Sequence, residues 1–204
     1  YLWWIKDGLR RNQPYDQVVR EVLTAKGHYW EAPALGHYFR DSQNRLARVE
    51  AVAAVFLGTE IGCAQCHNHP YDVWTRADYH RFAAFFEGAH HYWSEDETFA
   101  AVKYKDVVAR ERELREEGVR KREWACREAD LALKTKVIRP KAFWPHLPAD
   151  YQYPDAAARS VTGPLALFGA TRPAAKADAA AMDVLADWVT SPKNPKFTVT
   201  AVNR

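Results

Sequence analysis

The residues with the clearest capacity for chemistry are two cysteines and two histidines in one short run. Cys63, Cys66, His67 and His69 lie in the segment Cys-Ala-Gln-Cys-His-Asn-His-Pro, which ends at Pro70. Cys-x-x-Cys-His is the attachment signature of c-type haem. The two thiols bind the haem covalently as thioethers, and the adjacent imidazole is the proximal ligand of the iron. The run therefore predicts a metal-binding site, with covalently attached haem c as the leading candidate.

Two other interpretations of the same run stay open. In the first, Cys63, Cys66 and either His67 or His69 bind zinc or iron, with a fourth ligand from Asp72, a further histidine or Cys126. Thiolate and imidazole groups at close spacing suit zinc, and a second histidine favours this compact site because haem attachment needs only the first. In the second, the two cysteines form a disulfide and the two histidines hydrogen-bond the loop.

The second axial ligand of a haem is not indicated by any spacing. His69 lies two residues from His67, and two residues span only about 7 Å, too little to pass around a porphyrin edge. Met182 is the only methionine and is remote in sequence. The histidines that remain are distributed along the chain: His28, His37, His80, His90, His91 and His146.

Charge, hydropathy and the absence of certain motifs give no reason to expect nucleic-acid binding, a membrane span or several common catalytic sites. A net charge of +3, from interleaved basic and acidic residues, gives no reason to expect nucleic acid as a partner. No run of about 18 apolar residues is present, so we expect no membrane span in this segment. The sequence contains no Gly-rich phosphate loop, nucleophile elbow or His-Glu-x-x-His helix. Whether the protein is an enzyme stays open.

The apolar pattern predicts a mainly α-helical, irregular domain with the cysteine motif in a loop between two helices. A helix that begins near Asp41 or Ser42 should end at Gly58, and a capping box from Thr75 to Asp78 should begin the next. Earlier helices are predicted around Trp3 to Leu9 and from Pro14 to about Gly27, and a late one over 179–190, followed by an extended segment.

The same pattern divides the chain into four parts. Residues 1–102 form a helical core that carries the site, and residues 103–139 a long charged helix or helical hairpin inserted in it. Residues 140–178 are a proline-rich connector. Residues 179–204 are the start of a second domain.

The motif and its surroundings resemble a known family. The run from Phe56 through the cysteine motif to Trp74, with Asp78-Tyr79 and Ala83-Ala-Phe-Phe, is similar to the planctomycetal cytochrome-like domain of unknown function. Residues 186–195 and 202–204 resemble the opening of the second uncharacterised domain that often follows it. The sequence departs from the usual signature at three positions, where Asn68, Tyr71 and Val73 stand.

The resemblance implies a location and a set of site residues. Members of the family occur in large exported bacterial proteins, so it implies a periplasmic or cell-surface protein, with a redox partner or a neighbouring cytochrome module in the full-length protein. It marks as the signature Cys63, Cys66, His67, His69, Pro70, Asp72 and Trp74.

The expected function is electron transfer or redox sensing through haem c. Under this hypothesis Pro70 and Trp74 wall the edge of the haem, and Asp72 hydrogen-bonds a ligand imidazole. The alternative is a structural or interaction module, without redox activity, that holds a metal or a disulfide at the same residues.

Overall fold

The chain is mainly helical, as the apolar pattern predicted. A computed structural model describes residues 1–28, 32–37, 45–86, 90–93, 135–138, 145–168 and 181–203. In these ranges lie six α-helices: α1 (Leu2–Arg10), α2 (Tyr15–Thr24), α3 (Arg45–Leu57), α4 (Arg76–Ala83), α5 (Ala181–Val189) and α6 (Pro195–Asn203). Short 3-10 turns occur at Pro33–Gly36, Gly62–Gln65 and Ala84–Phe86. Within the same ranges, no helix is long and apolar enough to cross a membrane.

A small antiparallel sheet accompanies the helices. Its strands are β1 (Gly27–His28), β2 (His90–Trp93) and β3 (Thr135–Ile138), with β3 in the middle. Val137 pairs with Gly27 on one side and with His91 on the other. The strand β3 falls inside the segment predicted to be a charged helical insertion, and its β-branched residues favour a strand. The rest of that insertion lies outside the described residues.

One apolar core joins the helices on both sides of the cysteine motif. It is built from side chains that are almost fully buried, which include Val19, Leu23, Val49, Leu57, Tyr79, Phe82, Phe85, Leu185 and Val189. Helix α5 packs along α2, and α6 packs along α3. Residues 181–203 therefore share the core of the helices that carry the site. The domain boundary near residue 179 stays a prediction from the sequence.

Two of the predicted helix boundaries are confirmed, and both lie beside the site. Gly58, at φ +59°, follows the last residue of α3, a backbone conformation that glycine adopts without strain. Thr75 caps α4: its side chain accepts a hydrogen bond from the amide of Asp78, and the Asp78 carboxylate accepts one from the amide of Thr75. The predicted start of α3 near Asp41 lies outside the described residues.

The last helix corrects the sequence prediction of an extended segment. Residues 198–200 are Thr-Val-Thr, which favour a strand by propensity. Pro195 instead begins a helix, a position that suits its fixed φ, and the side chain of Asn194 accepts a hydrogen bond from the amide of Lys196 at 3.2 Å. Phe197 is buried and its ring stacks on that of Tyr15. Packing and the helix start therefore outweigh propensity here.

Replacement of Gly58 by alanine tests the contact between α3 and α6. A Cβ at this position would lie 2.7 Å from Oγ1 of Thr200 and would need the positive φ. We expect G58A to lower the free energy of unfolding by about 1 kcal/mol or more, measured by urea denaturation. The control is G163A, since nothing lies within 4 Å of a Cβ built there. Equal stability of the two variants would contradict this account of the end of α3.

Candidate functional site

The cysteine motif lies between α3 and α4, and its first half is a 3-10 turn rather than an open loop. Cys63 is in the turn Gly62–Gln65, and Cys66 follows it directly. The carbonyl of Cys63 accepts hydrogen bonds from the amides of Cys66 and His67, at 3.3 and 3.4 Å. The carbonyl oxygen of Cys63 thus holds the backbone of Cys66 and His67 close to Cys63, so the backbone sets the relative positions of these three residues.

The turn exposes both thiols, whereas Ala64, one of the two residues between them, is anchored in the core. Ala64 is fully buried among the apolar side chains. Cys63 and Cys66 on either side of it are exposed, and both are free thiols. With Ala64 buried and both cysteines exposed, the two thiols are accessible to a reactant or a metal.

The two histidines differ in the nitrogen that each commits to the loop. Nδ1 of His67 lies 2.8 Å from the carbonyl oxygen of Asn68. A carbonyl only accepts, so this Nδ1 carries a proton and donates, and in the neutral ring Nε2 bears the lone pair. Nδ1 of His69 instead accepts a hydrogen bond from the amide of Tyr71, at 3.3 Å. In the neutral ring of His69 the proton is therefore on Nε2.

This difference distinguishes the two rings as ligands. A histidine that binds a metal through Nε2 ordinarily donates Nδ1–H to a carbonyl or carboxylate, which sets the tautomer. His67 is exposed and already has that arrangement. His69 is half-buried, and its amide donates to the carbonyl of Trp74 at 2.8 Å, so both its side chain and its backbone stabilise the loop.

Asn68 connects the motif to α4 and to a distant segment. Its side-chain oxygen accepts a hydrogen bond from the amide of Arg76, at 2.9 Å, in the first turn of α4. Its own amide donates to the hydroxyl of Tyr153, at 2.9 Å. Asn68 therefore links the motif both to the start of α4 and to the segment that contains Tyr153.

Arg76 holds the 3-10 turn Gly62–Gln65 in place through the carbonyl of Gln65. Its side chain is only 7% exposed, although its partner Asp150 is 73% exposed. The guanidinium donates to the carbonyl of Gln65 at 3.3 Å, to the carbonyl of Asp150 at 3.1 Å and to the Asp150 carboxylate at 2.7 Å. The hydrogen bond from Arg76 holds the pKa of Asp150 below its ordinary value. Nε2 of His80 also donates to the Gln65 carbonyl, at 3.2 Å.

The other signature residues are Trp74, Pro70 and Asp72. Trp74, expected at a haem edge, is buried in the core. Its ring is edge-on to that of Phe168, with 4.8 Å between the ring centroids. Pro70 is exposed. Asp72, expected beside an imidazole, is exposed, and its carboxylate accepts a hydrogen bond from the amide of Val73, at 2.7 Å. Trp74 and Asp72 thus shape the loop in this structure.

The candidates for a second axial ligand are dispersed. Nδ1 of His37 donates to the carbonyl of Ala34, Met182 is buried in the core, and His146 is exposed. The side chains of His28, His90 and His91 lie outside the described part of the chain. Within the described part, no three His, Cys, Asp or Glu side chains are grouped so that they could hold a metal ion.

Sequence reasoning missed the residues that support the motif: Asn68, Arg76, Asp150 and Tyr153. Arg76 and Asp150 are 74 residues apart in the sequence, and residue spacing does not indicate a bond over such a distance. One signal was available. An arginine in the first turn of a helix opposes the helix dipole, and such a residue is expected to have a specific partner elsewhere.

The first part of the chain matches a known family. Residues 1–91 match the model of PSCyt2, described as a protein of unknown function (DUF1549). The match extends from α1 through the cysteine motif and α4 to the first two residues of β2. No curated protein matches the chain, and no solved structure does.

Replacement of Arg76 by methionine tests its role beneath the motif. Methionine keeps much of the apolar length but leaves the carbonyls of Gln65 and Asp150 without this donor. We expect R76M to lose about 2 kcal/mol of unfolding free energy in urea denaturation, since bonds from a buried cation are the costly ones to remove.

The matched control is R20M. Arg20 pairs with Asp187 at the surface, with 45% and 63% of the two side chains exposed, and such pairs contribute at most about 1 kcal/mol. Equal losses for R76M and R20M would show that Arg76 does not have the structural role inferred here.

Proposed function

We propose that Cys63, Cys66 and His67 form a c-type haem attachment site and that the protein is an electron-transfer module of a larger exported protein. The observation that carries the proposal is the pairing of two exposed thiols with an exposed imidazole whose Nδ1 is bound to a carbonyl. This is the donor set that haem attachment needs: two sulfur nucleophiles and one nitrogen lone pair at a fixed spacing.

The residues present fit the group in their chemistry. Exposure of Cys63 and Cys66 suits thioether formation, since a buried sulfur could not reach a vinyl group. The hydrogen bond between His67 and the Asn68 carbonyl holds the imidazole in the tautomer that ligates through Nε2. When bound, a haem supplies one-electron redox chemistry at its iron.

Apolar side chains beside the motif support a role in transfer to a partner. Tyr71 is 95% exposed and Val73 is 78% exposed, and both lie in the same loop. Redox partners meet through small and transient interfaces. An exposed aromatic and an exposed aliphatic side chain next to the attachment site offer such a contact to a neighbouring cytochrome module.

Location and neighbouring domains are part of the proposal. The match of residues 1–91 to a family of unknown function supports the resemblance to the planctomycetal cytochrome-like domain at the level of the family. From that resemblance we propose export to the periplasm or cell surface, and a second uncharacterised domain that begins near residue 179.

Production with haem-attachment machinery tests the proposal. The protein is made in a host that attaches haem c, purified and then denatured. We expect a Soret band that stays with the denatured chain and a mass gain of one haem. The double variant C63S/C66S should show neither, because no thioether can form.

Two histidine variants sharpen the test. H67A removes the proposed axial ligand and should alter the Soret position or abolish attachment. H69A removes the hydrogen bond that His69 accepts from the amide of Tyr71 but no proposed ligand, so we expect it to keep the wild-type Soret position. If no haem is attached and zinc or iron co-purifies at one per chain, a compact metal site replaces the haem proposal. If no metal is present and the two thiols are oxidised, the motif is a structural disulfide.

A further inference from the structure

A large apolar cavity lies apart from the cysteine motif. Its volume is about 420 Å³, within the ~300–1,000 Å³ typical of small-molecule sites. Helices α1, α2 and α3 contribute most of its wall. Apolar side chains of these helices that line it include Ile5, Leu9, Val18, Val22, Val52 and Val55. The described residues on its wall include none of the signature residues, so the cavity is a site separate from the motif.

The cavity extends from the surface of α1 to the core. Leu9 lines it and is 77% exposed, so the cavity is open to solvent on this side. Val19 and Leu23 also line it, and both are buried because they belong to the main apolar core. A molecule can therefore enter from solvent and bury an apolar body against the core.

Polar side chains that line the cavity interact with other groups of the protein. Trp4 and Gln13 both donate hydrogen bonds to the carboxylate of Glu21, at 3.1 and 2.7 Å. Nδ1 of His37 donates to a backbone carbonyl, and Arg48 also has its interaction partner within the protein. No described lining residue is an aspartate or a glutamate. A charged ligand would therefore lose its hydration on entry without a new partner to replace it.

The volume of the cavity sets the size of a ligand. An apolar cavity of about 150 Å³ binds one benzene molecule, and this cavity is nearly three times as large. It therefore has room for about two or three rings. Aromatic side chains also line it, namely Tyr1, Trp4, Tyr15, Phe56 and Phe86. Such rings pack favourably against a further ring, either edge-on or offset-stacked.

We propose that this cavity binds an uncharged apolar molecule of about two or three rings. The ligand lies between α1, α2 and α3, with its inner end against Val19 and Leu23 and its outer end beside Leu9. Removal of its apolar surface from water drives the binding, which needs no hydrogen bond from the wall. The site is independent of the haem proposal, because none of the residues that form it belongs to the motif.

Fluorescence titration with a matched pair of dyes tests the proposal. The neutral probe is anilinonaphthalene, and the charged probe is anilinonaphthalene sulfonate, which has the same rings and one added sulfonate. We expect the neutral probe to bind at one per chain and at least about tenfold more tightly than the sulfonate, because burial of the sulfonate costs its hydration. Equal affinities, tighter binding of the sulfonate or no binding of the neutral probe would overturn the proposal.

A variant that fills the cavity shows where the neutral probe binds. Ala51 of α3 lines the cavity, and A51W places a large ring inside it. We expect A51W to weaken binding of the neutral probe at least about tenfold. The matched control is A201W, at an exposed position of α6 that does not line the cavity, and it should bind the probe as the wild type does.

A second variant keeps the test decisive if A51W does not fold. V55W places a ring on the solvent-exposed side of the cavity and should also weaken binding of the neutral probe at least about tenfold. Its control is V199W, at an exposed position of α6 that does not line the cavity. Circular dichroism and the melting temperature establish that each variant is folded. Unchanged binding in folded A51W or folded V55W would overturn the proposal.

Discussion

The structure around the motif depends on one buried cation. Arg76 lies beneath the 3-10 turn and joins it to residues 145–155, which are distant in sequence. A buried guanidinium is tolerated only when its donors are satisfied. Its bonds to Gln65 and Asp150 meet that demand, and in doing so they hold the turn, the start of α4 and the proline-rich segment together. The segment predicted as a connector is therefore a support of the site.

This support explains why the thiols are presented at the surface. Arg76 and His80 both donate hydrogen bonds to the carbonyl of Gln65 at the end of the turn. Ala64 anchors the turn in the core. Cys63 and Cys66 are left exposed with their spacing set by the backbone. The amide of Asn68 is held by the hydroxyl of Tyr153. The carbonyl of Asn68 accepts a hydrogen bond from Nδ1 of His67, and this bond sets the tautomer of the imidazole. The site is thus organised by groups that have no ligand chemistry of their own.

Much of the fold could be predicted from the sequence, because local rules govern it. The helical class, the end of α3 at Gly58 and the capping box of α4 follow from periodicity and from the chemistry of helix ends. The helix α6 could not, since the burial of Phe197 against Tyr15 is a tertiary contact that outweighs β-branched propensity. At the site, the cysteine motif itself could be recognised in the sequence. The loop-building role of His69 and the burial of Trp74 depend on contacts that spacing does not encode.

The hydrogen bonds around the motif hold it in place before any ligand binds. Amide hydrogen exchange of the protein without metal or haem tests it most directly, at Cys66, His67 and Asn68, whose amides donate to the Cys63 carbonyl and the Tyr153 hydroxyl. Exchange reports the free energy of local opening. We expect protection of these amides close to that of α4. Exchange at the rate of an unstructured chain, with α4 still protected, would contradict it.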